Sequence, residues 1–337
     1  MAGAGYRCRI CGHSGSPALF SVPEMMFGWG EEFRYAQCAR CGCLHLENPP
    51  PDLARYYPTG YYSVGQEPVA IEGNPLRRIA LSLRDRYALY DRGLLGRFLY
   101  ARFPNEALRS LSGVPGLSVE TRILDVGCGS GTLLYRLRER GFRHLLGIDP
   151  SLEDDIHYAN DLLVRRQTLN EVEGRWDVVM FHHSFEHLAD PLGALRHMAR
   201  LVPPGGTCLL RMPVVPCYAW ERYGVRWVQL DAPRHLFIYS RKGVQLLGEK
   251  TGWALAKVVF DSTEFQFWGS EQYEQGIPLM APNSYAVNPR GSRFSKRDIA
   301  CFRAKAKRLN AQGQGDSAVF YLQRTGEVDR RIGTEVG

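Results

Sequence analysis

The sequence predicts an α/β fold, a parallel sheet covered by helices, with a small cysteine-rich segment in front and an extension behind. Three observations carry that expectation. From about residue 119, short apolar stretches alternate with helical ones, as strands joined by crossover helices do. One of those strands runs directly into Gly127-Cys-Gly-Ser-Gly131. Ahead of it lie two Cys-x-x-Cys pairs, Cys8/Cys11 and Cys38/Cys41. At 337 residues the chain is long enough for a full α/β core and an appendage.

Residues 1–64 form the front segment. The nine cysteines of the chain are too unevenly spread for a disulfide scaffold. Four thiolates on two knuckles instead suit a closed, tetrahedral structural zinc site. A segment with so little core of its own would draw much of its folding energy from the metal. Cys43, His13 and His45 are alternative ligands. The segment carries five Arg and five acidic residues, whereas binding a phosphate backbone needs concentrated Lys and Arg; nucleic acid is therefore not the expected partner. Its end, Asn48-Pro-Pro-Pro51 followed by Tyr56-Tyr-Pro-Thr-Gly-Tyr-Tyr62, can hardly be regular helix.

Residues 65–118 read as a helical linker. Over about 75–112, Leu76, Ile79, Leu83, Tyr87 and Tyr90 recur at steps of three and four, which predicts an amphipathic helix packed on a neighbour.

The core is expected over 119–262, with strands at Arg122–Val126, His144–Ile148, Leu162–Arg166, Trp176–Phe181, Thr207–Arg211 and Ala254–Phe260, and a helix at Thr132–Arg140. The stretch 213–240, rich in Pro, Trp and Tyr, breaks this rhythm and reads as a cap over the acceptor side of the sheet. Within 263–337 the basic excess is concentrated: eight Lys/Arg stand against Asp298 alone between 290 and 308. Ile299, Phe302, Ala306 and Leu309 predict a helix over 297–308 with a basic face. A final strand is expected at Ser317–Gln323.

A glycine loop that follows a strand and opens a helix lies at the C-terminal edge of the sheet, where open α/β sheets bind ligands. The glycines let backbone approach the ligand, and the helix N-terminus favours a carboxylate. A nicotinamide fingerprint would need Gly or Ala at position 132, which is Thr132. Instead the spacing is G-x-G-x-G, with Asp125 two residues before it. The next strand ends at Asp149, placed to accept hydrogen bonds from both hydroxyls of a ribose.

With Trp176-Asp-Val-Val-Met-Phe-His-His-Ser-Phe-Glu-His-Leu-Ala-Asp-Pro191 and Leu201-Val-Pro-Pro-Gly-Gly206, these residues resemble the class I S-adenosylmethionine (SAM)-dependent methyltransferases over about 119–260. The resemblance implies a Rossmann-like sheet and SAM as cofactor. Asp125, Gly127 and Gly129 would line the methionine end, with Cys128 and Gly131 completing the loop. Asp149 would hold the ribose, Thr168 and Leu169 would flank the adenine, and His183 would lie near the methionine moiety.

The cysteine pairs, the Cys-Gly-Cys-Leu-His-Leu46 stretch, Trp227-Val-Gln-Leu-Asp-Ala-Pro-Arg-His-Leu236 and Ser270-Glu-Gln-Tyr273 are similar to bacterial methyltransferases of polysaccharide and deoxysugar pathways. That likeness implies a small-molecule acceptor: a sugar, nucleotide-sugar, glycan or natural-product precursor. Arg222, Arg234 and the basic helix at 297–308 suit an anionic, pyrophosphate-bearing one. The long second half of the deoxysugar C-methyltransferases is absent, so O-methylation is expected ahead of C-methylation. An rRNA or tRNA methyltransferase using the ribbon to hold RNA, and a SAM-binding scaffold without turnover, are the other readings.

Methyl transfer from a sulfonium is an in-line displacement, and a hydroxyl acceptor must lose its proton. Histidine is the economical base near neutral pH. Among His182, His183, His187 and His235, the expected base is His235, with Arg234 as its anion-binding partner and His183 as the second catalytic candidate. Trp220, Tyr223, Trp227 and Tyr273 are expected to contact the acceptor. Glu186-His187 resembles a pair in ubiquinone-pathway O-methyltransferases, some of which bind a divalent ion through neighbouring acidic residues. His183 stands upstream here, so Glu186 reads as an acid at a helix N-terminus and no catalytic metal is expected. With no leader and no apolar run long enough to span a membrane, the protein is expected in the cytoplasm.

Overall fold

A computed structural model describes residues 6–58 and 75–326. Its strands are β1 (Ala18–Pro23), β2 (Glu32–Gln37), β3 (Leu44–Leu46), β4 (Ile123–Val126), β5 (Leu145–Ile148), β6 (Ile156–His157), β7 (Leu163–Arg165), β8 (Val178–His182), β9 (Thr207–Val215), β10 (Phe237–Ser240), β11 (Trp253–Phe260) and β12 (Ser317–Arg324). Its helices are α1 (Pro75–Tyr90), α2 (Leu94–Arg102), α3 (Glu106–Ser110), α4 (Thr132–Glu139), α5 (Pro191–Leu201), α6 (Tyr218–Tyr223), α7 (Arg241–Thr251), α8 (Phe265–Glu274) and α9 (Lys296–Ala311).

The middle of the sheet runs β7-β5-β4-β8-β9, all parallel. β12 then lies antiparallel beside β9, and β11 antiparallel beside β12. The fold class is thus the expected α/β one, a Rossmann-like sheet. Alternation along the strands shows that both faces are covered. Ile123, Val178, Met180 and Leu209 belong to one buried cluster, and Leu124, Val179, Phe181 and Leu210 to the other. From β4 the chain winds outward through β5 to β7, then returns to place β8 on the other side of β4. That reversal leaves a crevice beyond the C-terminal ends of β4 and β8.

Two expected features take a different form. The stretch 75–112 is three helices rather than one, because Asp91 and Gly93 adopt left-handed backbone (φ 55° and 97°) and Pro104 follows Phe103. The expected stripe packs only in its later part: Leu76 and Ile79 are 71% and 57% exposed, whereas Tyr87 packs against Tyr100 of α2, Tyr90 packs on the core, and α1 also buries Ala88 and Leu89. The stretch 213–240 supplies α6 but also a sheet strand, since β10 pairs in parallel with the end of β9 at Tyr239↔Val214.

β10 also joins the front segment to the core. β1, β2 and β3 form an antiparallel meander, and β3 pairs with β10 at Phe237↔His45 and Ile238↔Leu44. The cysteine segment therefore extends the main sheet, and the expected boundary at 64/65 lies outside the described residues. No helix among the described residues is long and apolar enough to cross a membrane. The basic helix forms as α9, burying Ile299, Ala306 and Leu309, with Ser295 and Asp298 in a capping box.

Candidate active site

The crevice is built first by backbone. Gly127, Gly129 and Gly131 all have positive φ (71°, 56° and 76°). At Gly127 the need is also steric, since a Cβ would lie 2.5 Å from Ser184 Cβ in the loop after β8. Ser184 Oγ donates to the Val126 carbonyl at 2.6 Å and pins that loop against β4. Gly131 then opens α4, so the first amides of the helix face the crevice.

Asp149 follows β5. Its Oδ2 accepts from Gly129 N at 2.9 Å and its Oδ1 from Ser151 N at 2.8 Å, which fixes the carboxylate against the glycine loop. Asp125, on β4, is 2% exposed, and its Oδ1 has no partner. Burial, with the charge of Asp149 adding, pushes its carboxyl up to about 8. Burial likewise raises the Cys128 thiol, whose Sγ occupies the space a Cβ on Gly147 would enter, 2.6 Å away. Thr168 and Leu169 start the turn after β7, Thr168 in a capping box with Glu171, on the same edge of the sheet. The structure thus brings the expected cofactor residues to one edge.

His183 sits immediately after β8 with φ 54°, a conformation few side chains adopt without strain. Its Nε2 lies 2.6 Å from Arg211 Nη1, so it accepts a hydrogen bond from the guanidinium. Its Nδ1 faces Glu186 Oε1 at 3.5 Å. With Nε2 engaged, His183 has no lone pair to offer a substrate proton. Arg211, on β9, is held in turn by Asp261 at 2.5 Å, and Asp261 accepts from Ser317 Oγ at 2.9 Å. Over the same edge, Tyr100 OH donates to Glu106 Oε2 at 2.9 Å. Burial raises the Glu106 carboxyl, offset in part by the Tyr100 bond. Sequence reasoning missed Arg211, Asp261 and Glu106. Arg211 lies in the middle of β9, Asp261 just past β11 and Glu106 at the start of α3, and only the tertiary fold brings the three together.

His235 lies beside Glu186 and His187. Leu236 N donates to the Glu186 carbonyl at 2.9 Å, so the two loops are joined by backbone. The His235 Nδ1 lies 2.8 Å from the Gln229 carbonyl and that of His187 2.8 Å from the Arg234 carbonyl. Both rings must donate through Nδ1, which leaves each Nε2 as an acceptor. Burial, with His187 adding, lowers His235 to about 4, so its ring is neutral near pH 7. Burial also pushes the Glu186 carboxyl up, but His183, His187 and His235 outweigh it and hold it at about 2. Glu186 is 0% exposed and neither carboxylate oxygen has a hydrogen-bond partner. Glu186, His187 and His235 offer ligand atoms within 4.8 Å of one another, a set that could hold a metal ion. His182 is half-buried with both ring nitrogens enclosed, and desolvation holds its pKa well below the usual histidine range.

The residues expected to contact the acceptor are placed otherwise. Arg234 has a fully buried side chain, 2.9 Å from Glu24 Oε1 and 2.7 Å from Asp231 Oδ1, and it donates to the Tyr56 carbonyl. It ties the front segment to the core instead of facing a ligand. Trp227 is 0% exposed and donates Nε1 to Asp316 at 3.0 Å. Tyr223 and Tyr273 are buried, and Trp220 packs edge-on against Phe20 of β1. All four fill the seam between the core, the front segment and the C-terminal helices, because β10 draws those parts together.

The cysteines converge as expected. Cys8 Sγ lies 3.7 Å from Cys41 Sγ, and Cys11 Sγ 3.6 Å from Cys38 Sγ. Four thiolates at about 2.3 Å from one centre would stand roughly 3.8 Å apart. Each knuckle turns on a left-handed glycine, Gly12 and Gly42, whose amides donate to Cys8 and Cys38. Cys43 is turned away to Ser240, and His45 stacks on Tyr6.

The chain is similar in part to known methyltransferases. Ubiquinone biosynthesis O-methyltransferases from Aeromonas salmonicida and Alkalilimnicola ehrlichii are 33% and 36% identical to the chain over 96 residues, which is 25% of this chain and 40% and 38% of those proteins. The chain therefore spans about two fifths of the length of the curated relatives it matches. Among solved structures, a cyclopropane synthase from Mycobacterium tuberculosis is 18% identical, with a TM-score of 0.42 over 72% of this chain and 98% of that one. The geranyl diphosphate C-methyltransferase of Streptomyces coelicolor is 11% identical, with a TM-score of 0.42 over 68% and 79%. The family model described as a methyltransferase domain matches residues 87–258, just over half of the chain and the whole of the glycine loop, so the chain belongs to the methyltransferase domain family.

Proposed function

We propose that this methyltransferase transfers the methyl group of SAM to a hydroxyl oxygen of a small acceptor, a sugar, nucleotide-sugar or glycan precursor. The observation that carries the oxygen acceptor is the buried cluster of Glu186, His187 and His235 beside the crevice. It combines a carboxylate with two imidazoles whose Nε2 lone pairs are free of their own loops. His235 takes the hydroxyl proton, and Glu186 stabilises the imidazolium that forms, its Oε1 being 3.8 Å from Nε2. The sugar class rests on the likeness of the front segment and the 227–236 stretch to polysaccharide and deoxysugar methyltransferases. A phenolic hydroxyl is the second reading, favoured by the relatives named for ubiquinone biosynthesis. Cys8, Cys11, Cys38 and Cys41 hold zinc in this reading, as a structural ion.

The test is methyl transfer from labelled SAM to a panel of nucleotide sugars, oligosaccharides and catechols. Transfer to a sugar hydroxyl is expected. Transfer to catechols alone would move the acceptor to the phenolic class, and transfer to RNA alone would overturn both.

A further inference from the structure

The α1–α2 hairpin turns an apolar face outward. In α2 the residue pressed against α1 is Gly96, where a Cβ would lie 2.4 Å from the Leu83 carbonyl oxygen and 2.9 Å from Tyr87 Cβ. That contact fixes the helix about its axis. At 3.6 residues per turn, Leu94, Leu95 and Phe98 then share the opposite face. They are 86%, 58% and 68% exposed, and Phe103, which ends the helix, is 57% exposed. An ordinary amphipathic helix packs its apolar side on the protein.

Charge surrounds this face with one sign. Arg77, Arg78, Arg86, Arg92, Arg97 and Arg102 are exposed. The two carboxylates of the hairpin are taken already, Asp85 by Arg84 and Asp91 by Arg109, each at 2.6 Å.

We propose that this hairpin docks on an anionic lipid bilayer, with Leu94, Leu95, Phe98 and Phe103 at the boundary of headgroups and acyl chains and the arginines on the phosphates. Charge complementarity selects this occupant. A second copy meeting the same face would oppose six guanidiniums with six more and bring no free carboxylate to neutralise them. A nucleic acid would satisfy the arginines but leave four large apolar side chains against phosphate. An anionic bilayer meets both demands. The inner side of the same helix reaches the crevice through the Tyr100–Glu106 bond, so docking would set the sheet edge one helix layer from the lipid.

The experiment is co-sedimentation of the full chain with vesicles of phosphatidylcholine alone, or of phosphatidylcholine and phosphatidylglycerol in equal parts. Binding is expected only to the anionic vesicles. It should weaken about tenfold or more in Leu95→Glu/Phe98→Glu and in Arg92→Glu/Arg97→Glu, with SAM affinity unchanged in both. Phe98→Trp should show a blue-shifted emission on anionic vesicles. No sedimentation of the wild type with anionic vesicles overturns the proposal, as does binding that both double variants retain. A dimer that Leu95→Glu/Phe98→Glu dissociates, without vesicle binding, would assign the face to a second copy. Retention on RNA without vesicle binding, lost in the arginine variant alone, would assign it to nucleic acid.

Discussion

The amide of Gly129 donates to Asp149 Oδ2 at 2.9 Å, so the glycine loop and the end of β5 hold each other in place before any ligand arrives. Preorganisation of this kind removes an ordering cost from binding. Asp149→Ala deletes both the clamp on the loop and the proposed acceptor for the ribose hydroxyls. Two charge-assisted hydrogen bonds are at stake, and loss of about 3 kcal/mol corresponds to roughly 100-fold weaker SAM binding. The fold should persist, because the residue caps a loop and leaves β5 paired on both sides. Calorimetry with far-ultraviolet circular dichroism checks this; unchanged affinity would remove Asp149 from the site.

Asp125 makes the site pH-sensitive. In the folded protein its carboxyl keeps its proton up to about pH 8, whereas in the unfolded chain it ionises near pH 4. Between these values the folded state binds more protons. The stability supplied by this group is therefore complete below about pH 4 and declines as pH rises toward about 8. A donor bearing an ammonium and a sulfonium favours the ionised carboxylate, so SAM binding should release a proton below pH 8 and tighten as pH rises. Titrations in phosphate and Tris, with different heats of ionisation, should show that release. Asp125→Asn should abolish it.

His235→Ala is expected to lower turnover by about 100-fold or more with SAM affinity kept, the usual scale for loss of a general base. Glu186→Gln should lower turnover too, but less. The Glu186 carboxylate is already ionised near neutral pH, so its loss removes stabilisation of the imidazolium and leaves the base itself in place. Turnover at the wild-type rate in His235→Ala would end its role as the base.

Arg234 distinguishes an acceptor contact from an internal strut. Arg234→Met strips the counter-charge from the buried carboxylates of Glu24 and Asp231, and uncompensated buried charge costs about 3–5 kcal/mol. The melting temperature should therefore fall, with KM for the acceptor unchanged in whatever fraction stays folded. A raised KM at wild-type stability would return Arg234 to the acceptor site.

What was legible in the sequence depended on how local its cause was. The glycine loop, Asp149 and the cysteine knuckles are set by short-range geometry, so their positions were legible in residue spacing, the glycine loop together with the strands on either side of it. The core strands were read to within two residues, except β9, which continues past Arg211 to Val215. The strands of the front segment and β10 were missed, because four residues of Phe237-Ile-Tyr-Ser240 after a run rich in Pro and Trp carry too little periodicity. That omission also displaced the site assignments. Once β10 joins the front segment to the sheet, Arg234, Tyr223 and Trp227 lie in a buried seam, and Arg211 and Asp261 occupy the crevice they were expected to line. The apolar face of α1 is only half used: Tyr87 and Tyr90 pack on α2 and the core, as the period implied, while Leu76 and Ile79 at the start of the helix are exposed.

The same seam makes the cysteine site a stability element for the whole chain. Cys38 and Cys41 flank the turn that leads into β3, and β3 pairs with β10, which in turn pairs with β9 of the core. Ser240, the last residue of β10, also donates its amide to Cys43 Sγ and caps α7, its Oγ accepting from Gly243 N. In the proposed zinc site, loss of one thiolate would release the metal that joins the two knuckles. Cys38→Ser is therefore expected to lose zinc, and its melting transition should drop as a single step that includes the core, since β3 and β10 share one sheet. Metal analysis with differential scanning calorimetry checks both. Retention of zinc would refute the four-cysteine site, and a separate early transition with an unshifted main one would show that the front segment unfolds on its own.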